Sequence, residues 1–375
     1  MPNPIRIGVT VPLSGALEAF GCALRTGILE AVAEVNAAGG LLGRAVELLV
    51  RDNASVPALA SSQARELVTV DDAFALVGGV TPQLSIPISV AAEQLQTPAV
   101  VTVTPLRAWL GATETGWSWA WDFFFDELQM TQTQFLAADL IETNKRIALF
   151  TDLEADGIVM GGLWTDMADA FGYEIVYHAE FPVGTDEFAS QVAEANAVDA
   201  DVVIGQLMAA EGHALLEAIR AGDYHPALVF LEKCANSGAW GRRTRGLGEG
   251  TLAANWFAEG IGAQRESEFI ERHRPAHGGV DSGLATTVYG HTAARVLLDA
   301  VARAGTLDRK AVNDEIGRTD AEHPAGRIHF DASNACATPA VMTQWRGDDM
   351  VLVMFADGAI GPAAIRPFAQ KPVHK

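Results

Sequence analysis

Few residues in this 375-residue chain stand at spacings that could do covalent chemistry. His273 and His277 lie four apart, the interval that puts two imidazoles on one helix face. Pro275 between them breaks such a helix, and no cysteine or carboxylate stands nearby at zinc-ligand spacing, so the pair reads as solvated loop histidines. Gly246-Leu-Gly-Glu-Gly250 does not open a helix after a strand, and reads as a surface turn, not a phosphate cradle. Asp71-Asp72 and Asp348-Asp349 read as solvated turns, and Asn53-Ala-Ser55 as a chance glycosylation sequon. Cys22, Cys234 and Cys336 form no C-x-x-C pair, which leaves a zinc ribbon, a thioredoxin-type site and a disulfide scaffold unsupported. There is no G-x-S-x-G elbow, no Walker loop and no H-E-x-x-H. No activated nucleophile or tuned acid/base pair stands in the linear sequence, which is only mild evidence against an enzyme because such groups are assembled in space; no cofactor or metal is expected.

Aromatic residues offer binding of another kind. Trp109, Trp117, Trp119 and Trp121 cluster, followed by Phe123-Phe-Phe125. On an extended strand Trp117, Trp119 and Trp121 would share one face, able to stack a planar ligand or sandwich a cation; the alternative is packing alone. Charge narrows the partners. Lys and Arg number 26 against 47 Asp and Glu, a net of −21, which argues against a nucleic-acid groove and against docking on anionic lipid. No run approaches the ~18 apolar residues of a membrane span. Met1-Pro-Asn-Pro leads straight into Ile5–Val11, with no cationic or apolar leader region. Two readings stay open: a cytoplasmic chain, or a mature exported sequence carrying a start methionine.

The elements that must position any site alternate. At ~100–200 residues per domain the length predicts two domains. Strands are expected at Ile5–Val11, Val46–Arg51, Ala75–Gly79 and Ala99–Val103, with helices at Ala23–Asn36, Ala58–Val70 and Ser85–Gln94 between them. The rhythm restarts at Arg146–Thr151 and runs through Ala227–Leu231; Ser282–Ala304 is one long helix, and Val341–Arg346 with Val351–Phe355 a hairpin. The predicted architecture is α/β, two doubly wound parallel-sheet lobes with a ligand cleft between them, and ligands belong at strand carboxyl ends.

The opening carries a specific pattern: Ile7-Gly-Val-Thr-Val-Pro-Leu-Ser-Gly15, Phe20-Gly21, Gly27, Glu34-Val-Asn-Ala-Ala-Gly-Gly-Leu-Leu-Gly43 and Val46-Glu-Leu-Leu-Val-Arg-Asp52. It resembles the branched-chain amino-acid-binding proteins, solute receptors of ATP-driven (ABC) importers with the type I periplasmic binding fold. The likeness continues through Val77-Gly-Gly79, Pro98–Pro105, Ala148–Asp152, Phe181-Pro182 and Gly326–Asp331. It implies three lobe crossings, near Trp121, Ala253 and Phe330. Lobe one would be 1–121 plus 253–330, and lobe two 122–252 plus 331–375. It also implies hinge closure on a small solute, membrane permease subunits as partners, and a periplasmic or extracytoplasmic location. A cytosolic or receptor-type small-molecule sensor of the same fold is the alternative.

The resemblance also carries site residues. Lobe one of the family holds a carboxylate on two loops, here Val80-Thr-Pro-Gln-Leu-Ser85 and Thr104-Pro-Leu-Arg-Ala108. Pro82 and Ala108 stand where the family has a serine and a threonine, so Thr81, Gln83, Ser85, Thr104, Leu106 and Arg107 are the candidates that remain. Arg107 could supply a bidentate grip in place of the lost hydroxyls. In lobe two, Asp156 takes the family's tyrosine position and Glu232 its acidic position, with a one-residue gap leaving Lys233 open. Phe20, Trp121 and Tyr289 complete the expected cleft wall.

Overall fold

Short β-branched runs become strands because their side chains pack against helices on both faces of a parallel sheet. The computed structural model describes residues 3–236, 240–257, 268–269, 271–273 and 282–368. Of the histidine pair, His277 lies outside the described residues, as does Pro275; His273 is not a solvated loop residue but half-buried in a helical segment, its Nε2 2.7 Å from Glu30 Oε2 and its ring stacked on Phe269.

The first sheet has six strands, all parallel: β1 (Ile5–Val11), β2 (Val46–Asp52), β3 (Ala75–Gly78), β4 (Ala99–Thr102), β5 (Ala120–Phe125) and β13 (Ala335–Thr338). Their spatial order is β13-β5-β4-β3-β1-β2. The second sheet has seven: β6 (Arg146–Asp152), β7 (Glu174–Phe181), β8 (Val202–Leu207), β9 (Leu228–Lys233), β10 (Leu252–Asn255), β14 (Val341–Arg346) and β15 (Asp349–Met354). Its order is β15-β14-β10-β9-β8-β6-β7, with β14 antiparallel to both of its neighbours, β10 and β15. A separate hairpin pairs β11 (Asp320–His323) with β12 (Gly326–His329). In both large sheets the first strand entered lies between the second and the third, so the chain reverses direction of winding there. Ligands of doubly wound sheets sit beyond the strand carboxyl ends at that point.

The chain divides into two units, one drawn from 1–125, 262–277 and 283–338, the other from 126–261, 278–282 and 339–375. The divisions at 125/126 and 338/339 follow β5 and β13, which complete the first sheet in register from Ala335↔Asp122 to Thr338↔Phe125. Within unit one, helices Glu18–Ala37 and Ser282–Ala304 cross through glycines. A Cβ on Gly27 would meet the Thr287 carbonyl oxygen at 2.0 Å, and one on Gly290 the Leu24 carbonyl oxygen at 2.2 Å. In unit two, Asp126 caps Glu127–Ala138 by accepting from the Leu128 and Gln129 N–H groups at 2.8 and 3.1 Å. No helix among the described residues is long and apolar enough to cross a membrane.

The tryptophan cluster departs from expectation. The extended segment begins at Ala120, so Trp117 and Trp119 precede it and share no strand face with Trp121. Trp117 instead stacks on Trp109 with centroids 4.9 Å apart, its Nε1–H donating to the Trp109 carbonyl oxygen at 3.2 Å.

Candidate functional site

In unit one the loops after β3 and β4 meet. The helix after β3 spans Thr81–Leu95, starting four residues before the expected Ser85, so Thr81 and Gln83 fall in its first turn. Thr81 (φ +60°) and Val103 (φ +55°) both hold left-handed backbone conformations, and the Thr81 N–H donates to the Val103 carbonyl oxygen at 2.9 Å. Such values are outliers for β-branched residues and cluster at functional sites. A second link joins the side chains. Thr104 Oγ1–H donates to Ser85 Oγ at 2.5 Å, Ser89 Oγ–H donates to the Ser85 carbonyl oxygen at 2.9 Å, and Trp109 Nε1–H donates to Ser89 Oγ at 3.0 Å. Ser85 and Thr104 are fully buried, so they brace the loops.

Two side chains in the same turn make no hydrogen bond among the described residues. Thr81 Oγ1 is buried and has no hydrogen-bond partner. The half-buried Gln83 side chain has no hydrogen bond to another described residue. Because Pro82 has no N–H and the Thr81 N–H is taken, the Gln83 N–H is the open backbone donor of this turn, at the positive end of the helix dipole. Leu106 is buried in the second loop, and Arg107 beside it is exposed. Phe20 is half-buried on the first helix.

Two expected residues lie elsewhere in unit one. Trp121 sits toward the amino end of β5, donating Nε1–H to Asn313 Oδ1 at 2.9 Å with its ring edge-on to Phe330. Tyr289 is wholly buried, stacked on Phe123, its O–H donating to Thr338 Oγ1 at 2.8 Å. Both are packing residues of that unit's core.

In unit two, Asp156 and Glu232 are not brought together. Successive strand residues face opposite ways, and Glu232 faces inward. Its Oε1 accepts from Gln134 Nε2–H at 2.5 Å and from the Ala254 N–H at 2.8 Å, while Trp164 Nε1–H donates to Gln134 Oε1 at 2.6 Å. Burial pushes the Glu232 carboxyl up to about 8, against the pull of those two donors. Its interior site therefore favours the protonated form more than water does. Lys233 (φ +68°) is the residue that reaches Asp156. Its Nζ lies 2.8 Å from Glu154 Oε2, 3.1 Å from Asp156 Oδ2 and 3.8 Å from Asp152 Oδ2, and Gln206 Nε2–H donates to Asp156 Oδ2 at 3.1 Å. Burial opposes the ammonium charge, but Asp156, Asp152 and Glu154 outweigh it and hold the lysine above its ordinary range. Burial likewise pushes Asp152 up to about 6, with Lys233 pulling down and its acidic neighbours pushing further up. Carboxylate oxygens of Asp152, Glu154 and Asp156 all lie within 4.8 Å of one another, close enough to hold a cation, and Lys233 supplies that cation from the chain itself. Sequence reasoning missed Asp152, Glu154 and Gln206; the alternation of acids directly after a predicted strand was the available signal.

A family model described as periplasmic binding protein matches residues 4–349. The chain belongs to the periplasmic binding protein family. Among curated relatives it is similar to the Leu/Ile/Val-binding protein homolog 3 of Brucella melitensis, 25% identical over 310 residues, covering 82% of this chain and 81% of that one. Among solved structures it is similar to the leucine binding protein LivK of Thermotoga maritima, with a TM-score of 0.83 at 22% identity over 96% of this chain and 99% of that one. It is also similar to an R. palustris solute-binding protein solved with benzoate, with a TM-score of 0.79 at 18% identity over 98% and 99% of the two chains. The type I periplasmic binding fold is therefore that of this chain, and family and fold are those of solute-binding proteins and not of enzymes. In this periplasmic binding protein, Thr81, Val103 and Lys233 at strand carboxyl ends are among the non-glycine residues held at positive φ, which also occur in turns elsewhere in both units.

Proposed function

We propose that this chain is the extracytoplasmic solute-binding protein of an ABC importer, capturing a small organic solute that carries a carboxylate and delivering it to membrane permease subunits. The observation that carries this reading is the unpartnered, buried Thr81 hydroxyl at the amino end of helix Thr81–Leu95, on a loop locked to its neighbour through Val103. A helix amino terminus with an added hydroxyl and the Gln83 amide makes a donor set suited to an anion. Arg107 on the neighbouring loop adds positive charge. Family relatives carry the names of Leu/Ile/Val-binding proteins, and one structural neighbour holds benzoate, so both an amino acid and an aromatic acid fall within the reading. In this family's mode of action the ligand favours a lobe-closed state, which a permease then distinguishes from the open one. The reaction is binding and release, with no covalent step.

A thermal-shift screen of amino acids, aromatic acids and short amides tests it. A ligand at ~100 times its Kd adds ~2.7 kcal/mol to stability. Gln83→Ala should weaken the best carboxylate at least tenfold, as judged by titration calorimetry. Unchanged affinity would refute the unit-one site, and steady turnover of a bound compound would refute the non-enzymatic reading.

A further inference from the structure

Helix Thr81–Leu95 of unit one carries a proline in its interior, Pro87. Proline there offers no N–H to the carbonyl of the residue four back, and its ring crowds that carbonyl. The residue four back is Gln83, whose own N–H is the open donor of the first turn. Pro87 also disfavours helical angles at Ile86 before it. The ladder of backbone bonds that makes a helix one rigid body is therefore interrupted directly behind the turn that would meet a carboxylate.

The two sides of Pro87 are held by different neighbours. Before it, the Thr81 N–H donates to the Val103 carbonyl oxygen at 2.9 Å, and Thr104 Oγ1–H donates to Ser85 Oγ at 2.5 Å. Both bonds tie the first turn to the end of β4 and the loop after it. Beyond it, Glu93 Oε1 accepts from the N–H groups of Ser118, Trp119 and Ala120 at 2.8, 2.6 and 3.0 Å. Those bonds tie the helix body to the segment entering β5. Ser89 bridges the proline, taking the Trp109 Nε1–H at 3.0 Å and donating to the Ser85 carbonyl oxygen at 2.9 Å. An ordinary residue at 87 would add a Gln83–87 ladder bond, pulling the first turn onto the axis of the body and against its strand-end anchors.

We propose that Pro87 is a positioning residue for solute binding: by withholding that bond, it leaves the Thr81–Gln83 donors to be set by the loop after β4. This rests on the carboxylate-binding reading of the turn and adds what holds the turn in place. Pro87 acts through Gln83, not on the solute.

The test uses the full chain with Pro87→Ala, and Pro87→Ser as a second variant supplying the same N–H. Amide hydrogen exchange of the ligand-free proteins comes first. The Thr81 N–H should exchange at least threefold faster in the variants, measured against the Ala91 and Ala92 amides of the helix body. Benzoate and leucine then serve as carboxylate probes in titration calorimetry. Whichever binds the wild type should bind the variants about three- to tenfold more weakly, the worth of one net hydrogen bond. Unchanged exchange at Thr81, or equal acceleration along the whole helix, overturns the proposal, since a proline that merely packs would give one or the other. Unchanged affinity overturns it as well. Failure of both probes on the wild type, with a neutral amide or sugar binding instead, overturns the carboxylate reading, while exchange at Thr81 still decides the role of Pro87.

Discussion

The Thr81 N–H donates to the Val103 carbonyl oxygen across 2.9 Å, and both residues are held at positive φ. Each such conformation costs ~1–3 kcal/mol and persists only where surrounding contacts over-determine it. Here those contacts are the Ser85–Thr104 and Ser89–Trp109 hydrogen bonds beneath the loops. Strain of this kind keeps the Thr81 hydroxyl fixed when no ligand satisfies it.

Thr81→Gly separates strain from binding. Glycine relaxes at φ +60° but enlarges the unfolded ensemble, and the two effects are of similar size. The melting temperature should stay within about 3 °C of wild type, while affinity for the best carboxylate falls tenfold or more.

Gly79→Ala should do the opposite. Gly79 holds φ +84°, and a Cβ there would stand 2.4 Å from Ser85 Oγ. Stability should fall by ~1–3 kcal/mol in urea unfolding, because the hydroxyl chain under the loops must shift. Binding should be lost along with it.

Replacing Lys233 with methionine leaves three clustered carboxylates without their cation, at a cost of ~3–5 kcal/mol. The loss should be smaller at pH 5 than at pH 8. Asp152 already sits at about 6 in the presence of Lys233, and without that attraction it takes up a proton more readily as pH falls. Equal losses at the two pH values would contradict the cluster's assigned electrostatics.

Glu232 gives a pH signature of the opposite kind from a salt-bridged acid. Its carboxyl is raised to about 8 from an ordinary 4.5, so folding takes up a proton between those values. The unfolded chain there binds fewer protons than the folded one, and stability falls as pH rises, by at most ~1.4 kcal/mol per unit from this group. Glu232→Gln keeps the acceptor for Gln134 and Ala254 and should flatten urea-derived stability between pH 5 and 8. It should leave ligand affinity unchanged, since the side chain is interior.

Regular elements were legible because period and terminators agreed: Ile5–Val11 and Val341–Arg346 fall where alternation and turn residues place them. Two open readings turned on geometry that the sequence does not carry. Side chains on a strand alternate, so a one-residue offset at the end of β9 exchanges an interior Glu232 for the clustered Lys233. The Trp117–Trp121 stretch has strand-like alternation, but extended pairing starts only at Ala120, where β4 offers a partner in register. Neither the inward pull of Gln134 on Glu232 nor the stacking of Trp117 on Trp109 has a local signature, since both depend on partners set by tertiary packing.

The pairing of Ala335 with Asp122 joins segments more than two hundred positions apart, and Val341–Arg346 closes on Leu252–Asn255 over a shorter but still long span. Neither sheet can be completed while the chain is being made until almost all of it has emerged. Closing such long loops comes late in folding and slowly. A nascent chain therefore spends most of its synthesis without its full native sheets, a window in which a chaperone can engage it.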